Sequence, residues 1–123
     1  MSLWLGVIVH NPQTGKRESV EMPPGSHLMG FESYRQELWG TEIMTRLGLK
    51  LLAGLSQGGY LLLKTPEEIA QLEHEAIVIR DNMDLVRQAL PPHIVDALEQ
   101  KYLPNLFNAV TLAQSVHGEI SIG

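Results

Sequence analysis

Residues Thr65–Leu90 read TPEEIAQLEHEAIVIRDNMDLVRQAL. Ile69, Leu72, Ala76, Ile79, Met83, Val86 and Leu90 recur at steps of three and four, which is the period of one buried face of an α-helix. Thr65 stands at the N-cap position, Pro66 suits the first helical residue, and Glu68 falls where a capping box closes back on Thr65. Pro91 and Pro92 stop the pattern, so the spacing predicts one long helix over 66–90.

Upstream, Trp4–Val9 is an apolar run, Asn11–Gly15 is a turn cluster, and Lys16–Met22 resumes with Val20 and Met22 on one alternating face. These features predict a β-hairpin. Phe31, Tyr34 and Leu38 lie at helical spacing and predict a short helix over about 31–39, after the breaker Pro23-Pro24-Gly25-Ser26. In 41–59, Ile43, Leu47, Leu51 and Leu55 step by four, while Leu47, Leu49 and Leu51 also alternate. Helix formers dominate and β-branching is scarce, so residues 49–55 are assigned to helix despite Gly48 and Gly54.

Tyr60–Leu63 suits a short strand. Beyond Pro92, one helix carries Ile94, Leu98 and Tyr102 and stops at Pro104; another carries Leu106, Val110 and Ala113 and stops at Gly118. Glu119–Ile122 alternates as an edge strand does. Strands and helices are segregated, so the expected class is α+β: one domain spanning 1–123, with a small sheet, the hairpin plus short later strands, packed on four to five helices.

Composition narrows the function classes. The chain has 123 residues, 44% of them hydrophobic and 19% charged, and no cysteine, which excludes a disulfide framework, a thiolate nucleophile and a cysteine zinc site. No apolar run approaches the ~18 residues of a membrane helix, and the apolar start lacks the basic flank and cleavage site of a signal peptide, so a cytoplasmic location is expected. The net charge of −5 arises downstream: residues 65–123 carry nine acids against three bases. That balance argues against a nucleic-acid partner, whose phosphates require clustered Lys and Arg.

The chemical motifs are weak. Gly54-Leu55-Ser56-Gln57-Gly58 matches the GxSxG of a nucleophile elbow but lacks the strand before it and the helix after it. Thr14-Gly15-Lys16 has His10 where a phosphate loop has its first glycine, and Arg17 where it has Ser or Thr. His93 and Asp96 share a helix face, and two ligands do not make a metal site; no metal or other cofactor is expected.

The main irregularity lies within the long helix, where Glu75 and Asn82, seven apart, fall inside the apolar arc. A carboxylate directed into an apolar layer must be paired, hydrogen-bonded or protonated. The expectation is a non-enzymatic acidic interaction protein, with Glu67, Glu68, Asp81, Asp84, Asp96 and Glu99 facing a basic protein partner or a second copy of the chain. An immunity or antitoxin-like protein that neutralises a basic toxin is its concrete form. The alternative is a small-ligand binder or enzyme with a polar pocket around Glu75 and Asn82.

Overall fold

The computed structural model describes residues 2–123. Its sheet is organised by β1 (Ser2–His10), which turns Leu3, Leu5 and Val7 inward and Trp4, Gly6 and Ile8 outward. One edge of β1 takes β5 (Glu119–Ile122) antiparallel, from Leu5 opposite Ile122 to Ile8 opposite Glu119. The other edge is divided: β2 (Arg17–Ser19) covers Ile8 to His10, and β3 (Leu28–Phe31) covers Ser2 to Trp4 across an irregular register. The hairpin from β1 to β2 closes where Asn11 and Lys16 pair and Gly15 takes a positive φ of 71°. β4 (Leu61–Leu63) pairs with the far side of β5, so β5 is an interior strand rather than the expected edge.

Six α-helices among the described residues complete the α+β fold. Thr65 caps α3 (Pro66–Asp81) through the expected box: its side chain accepts from the Glu68 backbone N–H, and the Glu68 carboxylate accepts from the Thr65 backbone N–H. α3 ends short of residue 90. Asn82 leaves helical geometry at φ −119°, ψ 24°, its side-chain amide donates to the Val78 carbonyl, and α4 (Met83–Ala89) starts anew. Asparagine commonly competes for helix carbonyls in this way.

The longest helix is instead residues 92–116, built from α5 (Pro92–Ala97), a π-helical turn (Leu98–Tyr102) and α6 (Leu103–Val116). Pro104 does not end it. In the π-turn the Leu103 N–H bonds five residues back to the Leu98 carbonyl, which restarts the ladder and puts Pro104 in the first turn of α6, where a missing N–H is tolerated.

Two further expectations are corrected. Residues 31–39 hold the end of β3 and a second π-helical turn (Arg35–Trp39), not one helix. The 41–59 segment divides into α1 (Glu42–Arg46), α2 (Lys50–Ala53) and a 3-10 turn (Gly54–Gln57), because Gly48 adopts φ +80° and reverses the chain.

The core lies between the inward sheet face and the helices. α6 packs on β1 and β5, presenting Leu106, Ala109, Val110 and Ala113, and α3 packs on α6 with Ile69, Leu72, Ala76 and Ile79. Each fully buried Leu or Ile side chain contributes ~1.5–3 kcal/mol. Asn105, also buried on α6, donates to the carbonyls of Gly25 and Leu28 at 3.0 and 2.8 Å and fixes the Pro23–Ser26 segment to the helical layer. Among the described residues no helix packs on the outward face of the sheet.

Candidate functional site

Glu75 is 1% exposed. Its two carboxylate oxygens accept from the backbone N–H groups of Leu51 and Leu52 at 3.0 Å each, and Gln71 donates at 3.2 Å. The side chain of one helix thus satisfies orphan donors at the start of another, α2. Asn82, seven residues on, is occupied by the Val78 carbonyl at 2.7 Å. Neither residue lines the grooves over the sheet, at the helix break or between the tyrosines described below.

Glu67, Glu68, Asp81, Asp84, Asp96 and Glu99 are all exposed. They do not form one patch. Glu67 and Glu68 occupy the first turn of α3, about 20 Å from Asp81 at its end by helix rise. Glu68 is held by its cap: the Lys64 N–H, then the Thr65 hydroxyl and N–H, lower its pKa below the usual carboxylate value. Asp81, Asp84 and Glu99 do converge, around a groove of about 440 Å³ floored by Met83 and Leu103. There Arg80 pairs with Asp81 at 3.3 Å, while Arg87 pairs with both Asp84, at 2.9 Å, and Glu99.

Ser56 of the GxSxG match sits in the 3-10 turn and donates to the Ala53 carbonyl at 2.9 Å, with no strand leading into it. Among the described residues no group of three His, Asp or Glu side chains is placed to hold a metal ion.

The outward sheet face carries two exposed aromatic side chains. Trp4 is 57% exposed and Tyr60 81% exposed. The Trp4 ring stacks on His27 at 4.3 Å with an interplanar angle of 11°. Two residues along β1 from Trp4 and opposite Ser121, Gly6 has nothing within 4 Å of where a Cβ would stand, which leaves a notch in the pleat. The resulting groove of about 360 Å³ is walled by Ile8, Val20 and Met22, with Ser19 and Ser121 supplying hydroxyls.

At the far end of the same face Glu119 joins three strands, accepting from Arg17 at 2.8 Å and lying 3.3 Å from His10. Burial raises the Glu119 pKa, and the hydrogen bonds from His10 and Arg17 outweigh that, so its net displacement is downward. Sequence reading missed this face, although LWLGVIV is apolar at outward as well as inward positions, which a half-covered strand does not require.

The charge is segregated along the chain. Residues 66–116 hold eight acids and three bases, the whole net charge of −5, whereas the remainder of the chain holds six of each sign. Comparison with protein-family models, curated proteins and solved structures returned no match, so geometry and electrostatics carry the functional argument.

Proposed function

We propose that this chain is a non-enzymatic interaction protein that pairs with a second copy of itself through the outward face of the sheet. The observation that carries the reading is the outward face with Trp4 and Tyr60 exposed on it, since aromatic side chains exposed together on an apolar surface mark contact sites. Sheets pack face to face at about 10 Å when alternate outward residues are apolar, as Trp4, Ile8 and Leu62 are.

Electrostatics favours a second copy as the occupant. Apposed sheets bring together the neutral halves and hold the two acidic helical layers about 30 Å apart at ~10 Å per layer, several Debye lengths at physiological salt. Contact through the helices would oppose like charges instead.

Sedimentation velocity over a concentration series tests this. The wild type is expected to shift from monomer to dimer, and the Trp4→Ser/Tyr60→Ser variant to remain monomeric with an unchanged unfolding midpoint. A wild type that stays monomeric at about 1 mM, or a variant that still dimerises, refutes it.

A second reading rests on the helical layer, where Asp81, Asp84 and Glu99 surround one groove and the full charge of −5 is displayed. A basic protein partner, as for an immunity or antitoxin-like protein, would be steered there. The captured partner should be lost in Asp81→Lys/Asp84→Lys and released by salt; capture that survives both changes removes this reading.

A further inference from the structure

The two π-helical turns converge on one pocket through the tyrosines at their ends. Such turns are rare and occur frequently where a helix re-aims side chains at a site. Tyr34 immediately precedes the turn Arg35–Trp39, and Tyr102 is the last residue of the turn Leu98–Tyr102. Their rings meet edge to face with centroids 6.1 Å apart, and Phe31 stands edge-on to Tyr34 at 5.6 Å. With Leu28, Ala97 and Lys101 they enclose about 220 Å³.

Tyr34 and Tyr102 are 7% and 6% exposed, yet among the described residues neither hydroxyl has a protein hydrogen-bond partner, and neither is sealed from solvent. A tyrosine this deeply buried ordinarily places its O–H on a partner. Both tyrosines line the pocket, whose space is open to a partner from outside the chain. Burial, and then the neighbouring Tyr34, raise the Tyr102 pKa, so that hydroxyl remains a neutral donor. Lys101 lines the same pocket and makes no ion pair among the described residues, whereas Arg80 and Arg87, the other bases of residues 66–116, both contact carboxylates. The pocket therefore offers two hydroxyl groups, one unspent cation and an apolar wall.

We propose that this pocket binds a small organic carboxylate, whose oxygens are held by the Tyr34 and Tyr102 hydroxyls and the Lys101 ammonium while its apolar body lies against Phe31, Leu28 and Ala97. The volume is below the ~300–1,000 Å³ of pockets for drug-sized ligands, which sets the scale near a single ring. A lone lysine with neutral donors suits a monoanion better than a phosphate, which draws on guanidinium forks or clustered backbone N–H groups.

The test is an NMR titration of the whole chain with benzoate, following the ring signals of Tyr34 and Tyr102. Acetate, benzamide and N-acetylphenylalanine serve as comparison ligands. Benzoate is expected to shift both rings and to bind about tenfold tighter than acetate, which lacks the ring, and than benzamide, which lacks the charge. Tyr34→Phe/Tyr102→Phe should weaken benzoate about tenfold or more while keeping the wild-type unfolding midpoint. Lys101→Gln, at an exposed position, should weaken it several-fold and provides the decisive variant if the tyrosine pair fails to fold. Unshifted rings at about 50 mM benzoate overturn the proposal. So does benzamide binding equal to that of benzoate, or an affinity unchanged in the folded variants. N-acetylphenylalanine, whose carboxylate sits on a peptide-like body, binding tighter than benzoate overturns the single-ring acid in favour of a peptide C-terminus.

Discussion

Removing the Glu75 carboxylate separates a structural role from a chemical one. In Glu75→Ala the N–H groups of Leu51 and Leu52, each 3.0 Å from a carboxylate oxygen, lose their acceptor in a part of the fold where Glu75 itself is 1% exposed. Hydrogen bonds to charged groups contribute about 1.5–3 kcal/mol each, so the pair sets a loss of about 3–6 kcal/mol. A chain of this length has a total stability of roughly 6–18 kcal/mol, and the melting temperature should fall on the order of 10–20 °C. Glu75→Gln keeps one acceptor oxygen but turns an NH₂ group toward a backbone N–H, so it should fall between the wild type and the alanine variant. Urea unfolding gives the order, and amide exchange at Leu51 and Leu52 should accelerate selectively in both variants. If Glu75→Gln were as stable as the wild type or more so, the capping argument would fail, because relief of a buried charge would then outweigh its hydrogen bonds.

Glu119 has a depressed pKa in the folded chain, so its ion pairs stabilise the fold above the ordinary glutamate value of about 4.3 and lose that contribution as pH falls through the lower, folded value. The difference in urea midpoint between wild type and Glu119→Gln should be present at pH 7 and close in acid; a constant difference would show that the carboxylate charge is not involved. Ile79 is fully buried, and Ile79→Ala should cost about 2–5 kcal/mol, with an unchanged midpoint contradicting its place in the core. A Cβ at Gly30 would stand 2.6 Å from Tyr34 Cδ2 at a φ of +112°, so Gly30→Ala should destabilise by about 1–3 kcal/mol and displace the Tyr34 ring signals; an undisturbed Tyr34 spectrum would show that the ring is not held there. Thr65→Ala should cost about 0.5–2 kcal/mol through loss of the cap, read as a lower melting temperature, and no change would deny the box its role.

The parts of this fold legible from sequence are those fixed by neighbours along the chain. Thr65, Pro66 and Glu68 specify a helix start because capping is a contact between residues three apart. Asn11–Gly15 specifies a hairpin for the same reason. The break at Asn82 was hidden because Met83, Val86 and Leu90 continue the buried stripe beyond it, so the hydrophobic period survives a change in backbone geometry. Residues 92–116 misled in the opposite direction: Pro104 signals a stop, and only the five-residue hydrogen bond at Leu103 shows why the helix passes it. β5 presents Ile120 and Ile122 inward and Glu119 and Ser121 outward, a pattern that reports which face is buried and nothing about lateral neighbours. The irregularity at Glu75 was visible in the sequence, but its partner was not, since Leu51 and Leu52 lie more than 20 residues away and contribute backbone groups that every sequence possesses. The tyrosine pocket depends on Tyr34 and Tyr102 meeting across 68 positions, beyond the reach of any local period.

The pairing of β1 with β5 also governs the order in which the molecule can assemble during synthesis. Leu5 finds its partner only at Ile122, so β1 leaves the ribosome more than a hundred residues before that edge is satisfied. Until then its apolar run, with high β-propensity and no charge between Ser2 and Val9, is the segment of this chain most available to other nascent chains. The cost of closing so long a loop places sheet completion late, after the helices have formed locally. Crowded expression should therefore test this protein's yield more severely than its finished stability does.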